Sequence, residues 1–338
     1  MQAQGLDSWW PLERLSVFGY VDALARLPEL LRIRHQLGDR LLRERPAAFI
    51  GIDAPDFNFG LERRLRSAGL KTIHFVCPSI WAWRPERVQR LNQAADHVLC
   101  LFPFEPALLQ QHGVSATYVG HPLADAIPLE PPRSASRAAL GLADDATVIA
   151  LLPGSRRSEI AHIAPRLLAA AALLQGQRPG LRFVLPAAPG LRPLIEPICV
   201  AAAPGLAIQI IDGQAHTALA ACDLTLVASG TAALEAALFK RPMVIVYHLA
   251  ALNWWRMRRL ALQPWFGLPN ILAGRFVVPE LIQDAATPSA IAHEALAWLD
   301  DTPRREAVRV TFYDLHLQLR QNTANKAGDA IANIIEAA

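Results

Sequence analysis

Short apolar runs alternate with stretches of helical period along almost the whole chain, and this alternation limits the fold more than any other feature. The runs lie at residues 47–52, 71–76, 97–102 and 116–119, then at 147–152, 182–185, 207–211, 224–227 and 243–247. They are too short for core helices, and most lack a polar face, which is how a strand covered on both sides reads. Strands that alternate with helices need crossover connections and assemble into parallel α/β sheets. Between the two series, Leu129-Glu130-Pro131-Pro132-Arg133-Ser134 is proline-rich and polar and reads as linker. The expected organisation is a first α/β domain over 1–128, a linker over 129–146, a second α/β domain over 147–302 and terminal helices over 303–338. Two such halves imply a cleft between them, the usual place for a ligand.

Composition narrows the function classes. The 338 residues are 52% hydrophobic, enough for real cores and too many for a disordered chain. Lys and Arg number 33 against 30 Asp and Glu, a net charge of +3, so no nucleic-acid partner is implied. The four cysteines, Cys77, Cys100, Cys199 and Cys222, form no Cys-x-x-Cys pair and have no histidine at zinc-ligand spacing. They read as small buried apolar residues in a reducing compartment. No signal peptide opens at Met1, and no clean run of about 20 apolar residues occurs. The expectation is a cytoplasmic protein whose membrane contact, if any, is peripheral.

Several strand ends carry chemistry-bearing residues. The run Phe49-Ile50-Gly51-Ile52 stops at Asp53, with Ala54-Pro55 behind it and a second carboxylate at Asp56. In an open α/β sheet the carboxyl ends of the strands face the ligand crevice, so Asp53 is a candidate general base. Its other reading is a residue that caps the next helix. Pro153-Gly154-Ser155-Arg156 joins a strand to a helix, where backbone N–H groups suit a phosphate and Arg156 adds charge. An ordinary turn with a surface arginine fits the same residues, and Glu159 reads as a first-turn cap. Ser229-Gly230-Thr231 again joins a strand to a helix. Gly230 lets a ligand approach the backbone, Thr231 offers a hydroxyl, and Glu235, one turn on, can accept both ribose hydroxyls of a nucleotide. A solvent-facing glutamate is the alternative.

Tryptophans raise the same question twice. Ser79-Ile80-Trp81-Ala82-Trp83-Arg84 sets two indoles after a strand, for packing or for binding. Trp254-Trp255-Arg256-Met257-Arg258-Arg259, followed by Trp265-Phe266, suits either an amphipathic segment at an anionic membrane or a helix with aromatic core contacts. Trp9, Trp10, Phe18 and Tyr20 are candidates for an acyl-chain surface. Asn270, after Pro269, can bond a base or phosphate, or merely shape a turn. With no Asp-x-Asp metal motif in the sequence, the expected site uses no metal and no cofactor.

The ordered set Ile52-Asp53-Ala54-Pro55-Asp56-Phe57-Asn58, Pro78 to Arg84, Phe102-Pro103-Phe104-Glu105, Val119-Gly120-His121-Pro122-Leu123-Ala124-Asp125, Leu151 to Arg156, Ala228 to Glu235 and Leu268 to Gly274 resembles the lipid-A-disaccharide synthase family. The likeness runs from Met1 to about the last helix, and several of these motifs are specific to that family. It implies a glycosyltransferase of the GT-B type: two Rossmann-like domains with parallel sheets facing a central cleft. The first would lie on the acceptor side and the second would bind the UDP-sugar. The terminal helices would cross back to the first domain.

By resemblance the reaction joins UDP-2,3-diacylglucosamine to 2,3-diacylglucosamine 1-phosphate with inversion, giving lipid A disaccharide 1-phosphate and UDP. Asp53 would be catalytic. Asp56, Asn58, Ser79, Trp81, Arg156, Gly230, Thr231, Glu235 and Asn270 would bind substrate. The partners are then the sugar nucleotide, the acylated acceptor and the anionic inner face of the cytoplasmic membrane, with a homo-oligomer left open. Two rivals stand beside this reading: another GT-B enzyme of UDP-sugars, such as a 2-epimerase, and a chain that binds UDP-sugar or lipid without turnover. The family pattern begins earlier, with a strand and a Gly-Glu-x-Ser-Gly-Asp loop that do not precede Met1-Gln2-Ala3-Gln4-Gly5 here. The expectation is a first domain short of roughly one βαβ unit, poorly soluble and weakly active.

Overall fold

The computed structural model describes residues 5, 7–11, 14–15, 20–82, 85–249, 254–255, 259–260 and 262–337. The chain forms two compact units: Met1–Ile80 with Arg84–Tyr118 and Ala327–Ala338, and Trp81–Trp83 with Val119–Lys326.

The first unit holds a parallel sheet of β1 (Ala48–Ile52), β2 (Lys71–Phe75), β3 (His97–Cys100) and β4 (Ala116–Tyr118), in the order β1-β2-β3-β4. Pro55 opens the helix Pro55–Ser67, where its missing N–H costs nothing, and Asp56 faces the positive end of the helix dipole. Gly69, at φ 82°, ends it: Gly69 N–H donates to Arg66 and Leu70 N–H to Leu65, the paired bonds that turn a helix into the following strand. Leu61, Leu65, Ile73, Leu91, Val98 and Leu99 are buried in this unit's core. Cys77 and Cys100 are buried there too; their mutual hydrogen bond, with burial, pushes the Cys77 thiol far up, away from reactivity.

The second unit holds β5 (Val148–Leu152), β6 (Arg182–Ala187), β7 (Ile208–Asp212), β8 (Leu224–Ala228), β9 (Met243–Tyr247) and β10 (Glu280–Ile282). All are parallel, in the order β10-β9-β8-β5-β6-β7. The chain winds outward from β5 through β6 and β7, then returns to the other side of β5 with β8. The order therefore reverses between β5 and β8, and their carboxyl ends border a crevice where doubly wound sheets place ligands.

Nine of these strands lie within two residues of the apolar runs. The exception is β10, whose three residues are too few to show a period. Part of the segment expected as linker is helical, Arg133–Ala139. It is anchored by Arg137, whose fully buried guanidinium donates to the carbonyls of Ala143, Asp144, Ala146 and Ala221 and pairs with Asp223. The terminal helices run Thr302–Leu319 and Thr323–Glu336. Among the described residues no helix is long and apolar enough to cross a membrane.

Candidate active site

In the first unit the functional candidates gather at the end of β1. Asp53 and Ala54 both take left-handed backbone angles, φ 47° and 43°. Without a glycine each such residue costs on the order of 1 kcal/mol, so the surroundings must hold them there. Asp53 N–H donates to Phe75 O at 2.8 Å, tying the turn to β2. The Asn58 amide donates to Ile52 O at 3.3 Å and to Asp53 O at 2.8 Å. The Asp53 side chain is exposed, and Ala54, not Asp53, stands at the N-cap. The capping alternative for Asp53 is thus not the one the structure uses.

The other candidates divide by role. Asp56 is exposed, both oxygens 3.2 Å from Arg87 Nη2. Asn58 is buried, and its amide N–H groups are already engaged with the strand-end carbonyls, so it shapes the Asp53 turn rather than offering those donors to a substrate. Ser79 is exposed. Trp81, which belongs to the second unit, is buried, and its carbonyl accepts from Gln263, which fits the packing alternative. Trp83 and Arg84 lie outside the described residues.

In the second unit Arg156, Gly230, Thr231 and Glu235 all line one cavity of about 490 Å³ at the carboxyl ends of β5 and β8. Glu159 accepts the N–H groups of Ser155 and Arg156 at 3.0 and 3.3 Å and pairs with the Arg156 guanidinium at 2.7 Å. Its role as a helix cap is therefore seen directly. Gly154, at φ 112°, leaves room for that carboxylate: a Cβ there would stand 2.5 Å from Glu159 Oε2. Beside Gly230 a Cβ would meet nothing within 4 Å, so its backbone is open to a ligand. Burial raises the Glu235 carboxyl above its ordinary range, against the pull of His216, 3.9 Å away.

Pro186 at the end of β6, with Ala188, Pro189, Gly213 and Gln214 in the loops after β6 and β7, completes the cavity. Motif reading missed these residues; the signal available was their place directly after an apolar run, shared with Gly154 and Ser229. A larger cavity, about 680 Å³, lies among Asp145, Thr147, Arg178 and Arg182, at the amino ends of β5 and β6, the end where such sheets do not place chemistry.

Asn270 corrects an expectation. It is fully buried and its amide is saturated: Nδ2 donates to Val278 O and Glu280 Oε1, and Oδ1 accepts from Val277 and Val278 N–H. Glu280 also accepts from Phe266 and Gly267 N–H. No hydrogen-bonding capacity is left in this amide for a base or phosphate, and it serves to hold the loop.

The tryptophan-rich stretches also divide. Trp254 packs on Phe266, which stacks on Tyr247. Trp255 is 55% exposed beneath the Arg259 guanidinium, and Leu262 and Phe276 are exposed as well. Arg256, Met257 and Arg258 lie outside the described residues. Trp9 is covered by Arg40 and packs against Leu41, Leu61, Leu65 and Leu70, with Trp10 at its edge. Phe18 and the Tyr20 side chain lie outside the described residues.

Residues 1–335 match the family model described as lipid-A-disaccharide synthetase. The lipid-A-disaccharide synthase of Verminephrobacter eiseniae is 58% identical over 340 residues, covering 99% of this chain and 87% of the relative. That of Burkholderia vietnamiensis is 57% identical over 337 residues, with 99% and 86% covered. Among solved structures, a putative UDP-N-acetylglucosamine 2-epimerase from Listeria monocytogenes matches with TM-score 0.63 at 16% identity, covering 91% of this chain and 80% of that one. MurG from Acinetobacter baumannii matches with TM-score 0.54 at 15% identity, covering 93% and 80%. Likeness at such low identity speaks to fold alone, and that fold is GT-B. By its whole-length match and its close relatives, the chain belongs to the lipid-A-disaccharide synthetase family.

Proposed function

We propose that this chain is the hexosyltransferase that joins UDP-2,3-diacylglucosamine to 2,3-diacylglucosamine 1-phosphate. The observation that carries this is membership of the family over residues 1–335. In the reaction the acceptor 6-hydroxyl forms the new bond to the donor's anomeric carbon. The bond from that carbon to the diphosphate breaks, and UDP leaves with the electron pair. Asp53 takes the hydroxyl proton. Its exposed carboxylate, at the carboxyl end of a parallel strand and on a braced backbone, supports that role. The transition state is oxocarbenium-like, with inversion at the anomeric carbon.

UDP occupies the cavity at β5 and β8. The ribose hydroxyls bond to Glu235, and the diphosphate lies near Arg156, Thr231 and the open backbone of Gly230. Asp56 and Ser79, both exposed, lie on the acceptor side. The exposed Trp255, Leu262 and Phe276 support contact with an anionic membrane surface, where acylated substrates reside.

Incubating the purified chain with both acylated substrates and following UDP and disaccharide release tests this reading. No disaccharide under conditions where the Verminephrobacter relative turns over would overturn it. The epimerase reading is checked in a parallel incubation with UDP-N-acetylglucosamine, followed by proton spectra. Only the fold speaks for that alternative, and the close relatives speak against it.

A further inference from the structure

Directly beneath the Asp53 turn lies an ionisable pair with no part in the chemistry above. His74 in β2 and Glu62 in the helix Pro55–Ser67 are both completely buried, with Nδ1 and Oε1 2.7 Å apart. The pair is locked to β1. Gly51 is the register partner of His74, and a Cβ on Gly51 would stand 2.0 Å from Glu62 Oε1 and 3.2 Å from the Asn58 Cβ. Only a glycine there admits the carboxylate. Phe59, on the same helix, lays its ring 5.1 Å from the imidazole.

Three elements therefore meet at one hydrogen bond, and each also holds the candidate base. Asp53 stands two residues beyond Gly51 on β1. Its N–H is held by Phe75, next to His74 on β2, and its carbonyl by Asn58, one turn before Glu62 on the helix. Stability does not explain such a pair. Two well-packed apolar side chains in place of a buried hydrogen-bonded pair are often neutral or stabilising, because desolvation offsets the bond. What a directional bond supplies, and apolar packing does not, is one fixed depth and rotation of the helix against the sheet. Two successive left-handed residues at 53 and 54 require such a fixed frame.

We propose that the Glu62–His74 pair is a positioning device for Asp53: it fixes the helix Pro55–Ser67 against β1 and β2 so that the strained turn presents the carboxylate in one orientation. The proposal rests on reading Asp53 as the base. The test is the double variant Glu62→Leu/His74→Leu, assayed beside Asp53→Asn. The expected result is a folded protein with Tm at or above that of the parent and unchanged UDP affinity. Its KM should be little changed and its kcat lower by about 10–100-fold, the scale of a misplaced reacting group. The Asp53 amide, now bonded to Phe75, should lose protection against hydrogen exchange, which a purely structural role elsewhere would not move.

Full kcat in the double variant, with Asp53→Asn inactive, overturns the positioning role and leaves the base intact. An active Asp53→Asn overturns both. If the apolar pair does not fold, Glu62→Gln decides, because the amide oxygen keeps the hydrogen bond in a side chain of the same size. Activity within about threefold of the parent and a protected Asp53 amide support the device. A loss as deep as that of Asp53→Asn, with the amide still protected, overturns it.

Discussion

At the residue scale, Asp53 combines exposure with an unusual backbone. Converting it to Asn keeps the size and polarity of the side chain and removes the base. Transfer is expected to fall by about 10²–10⁴-fold with Tm and UDP binding nearly unchanged; near-parental turnover would remove Asp53 from the mechanism. Glu235 carries the matching prediction for the nucleotide. Loss of a charged hydrogen-bond partner costs about 1.5–3 kcal/mol, so Glu235→Ala should weaken UDP by roughly 10–100-fold in calorimetry. Unchanged affinity would displace the nucleotide from this cavity. The place of Asp53 at a strand end was legible because the apolar run stops there and Ala-Pro follows. Asn58, Trp81 and Asn270 were not, because membership of a motif does not separate a side chain that touches substrate from one that holds a loop.

At the element scale, the stretch from Trp254 to Phe276 divides into packed and exposed aromatic residues. Trp254, Tyr247 and Phe266 pack together, while Trp255, Leu262 and Phe276 stay exposed. The packing reading thus holds for Trp254, and the exposed residues are the ones a membrane surface would meet under the proposed function. Replacing Trp254, Trp255, Arg258 and Arg259 together should lower co-sedimentation with phosphatidylglycerol vesicles several-fold, since each exposed apolar or basic group contributes on the order of 1 kcal/mol at an anionic surface. Equal sedimentation would assign the segment to packing alone. Tm reports separately on the part Trp254 plays in the core.

At the scale of the whole molecule, histidines that burial holds neutral make stability depend on pH. Burial pushes His121 down from 6.5 to about 4, against the opposing pull of Asp125. Burial likewise lowers His97, His248 and His316. His316 Nδ1 lies 2.7 Å from Lys240 Nζ and 3.2 Å from Leu238 O, and its Nε2 lies 2.8 Å from Ala124 O. Between pH 6.5 and 4 the unfolded chain binds the protons that folded His121 refuses. The contribution of His121 to stability is therefore complete above about 6.5 and is lost as pH falls toward 4. Thermal melts across that window should show a falling Tm. His121→Asn, which keeps an N-cap acceptor for Leu123 N–H, should make the fall shallower. An identical slope would place the titrating groups elsewhere.

The sequence by itself determined the class of both units and nearly every strand. A strand buried on two faces must be apolar throughout, and that demand is met locally, within a few consecutive residues. It also marked the strand ends where Asp53, Arg156 and Thr231 stand. Only the tertiary structure decided the order β10-β9-β8-β5-β6-β7, since pairing depends on partners far along the chain. That order draws Arg156, Ala188, Gln214 and Glu235 around one cavity. The allocation of polar groups was decided there too. Whether Asn58 and Asn270 have donors to spare depends on carbonyls that only folding brings within reach.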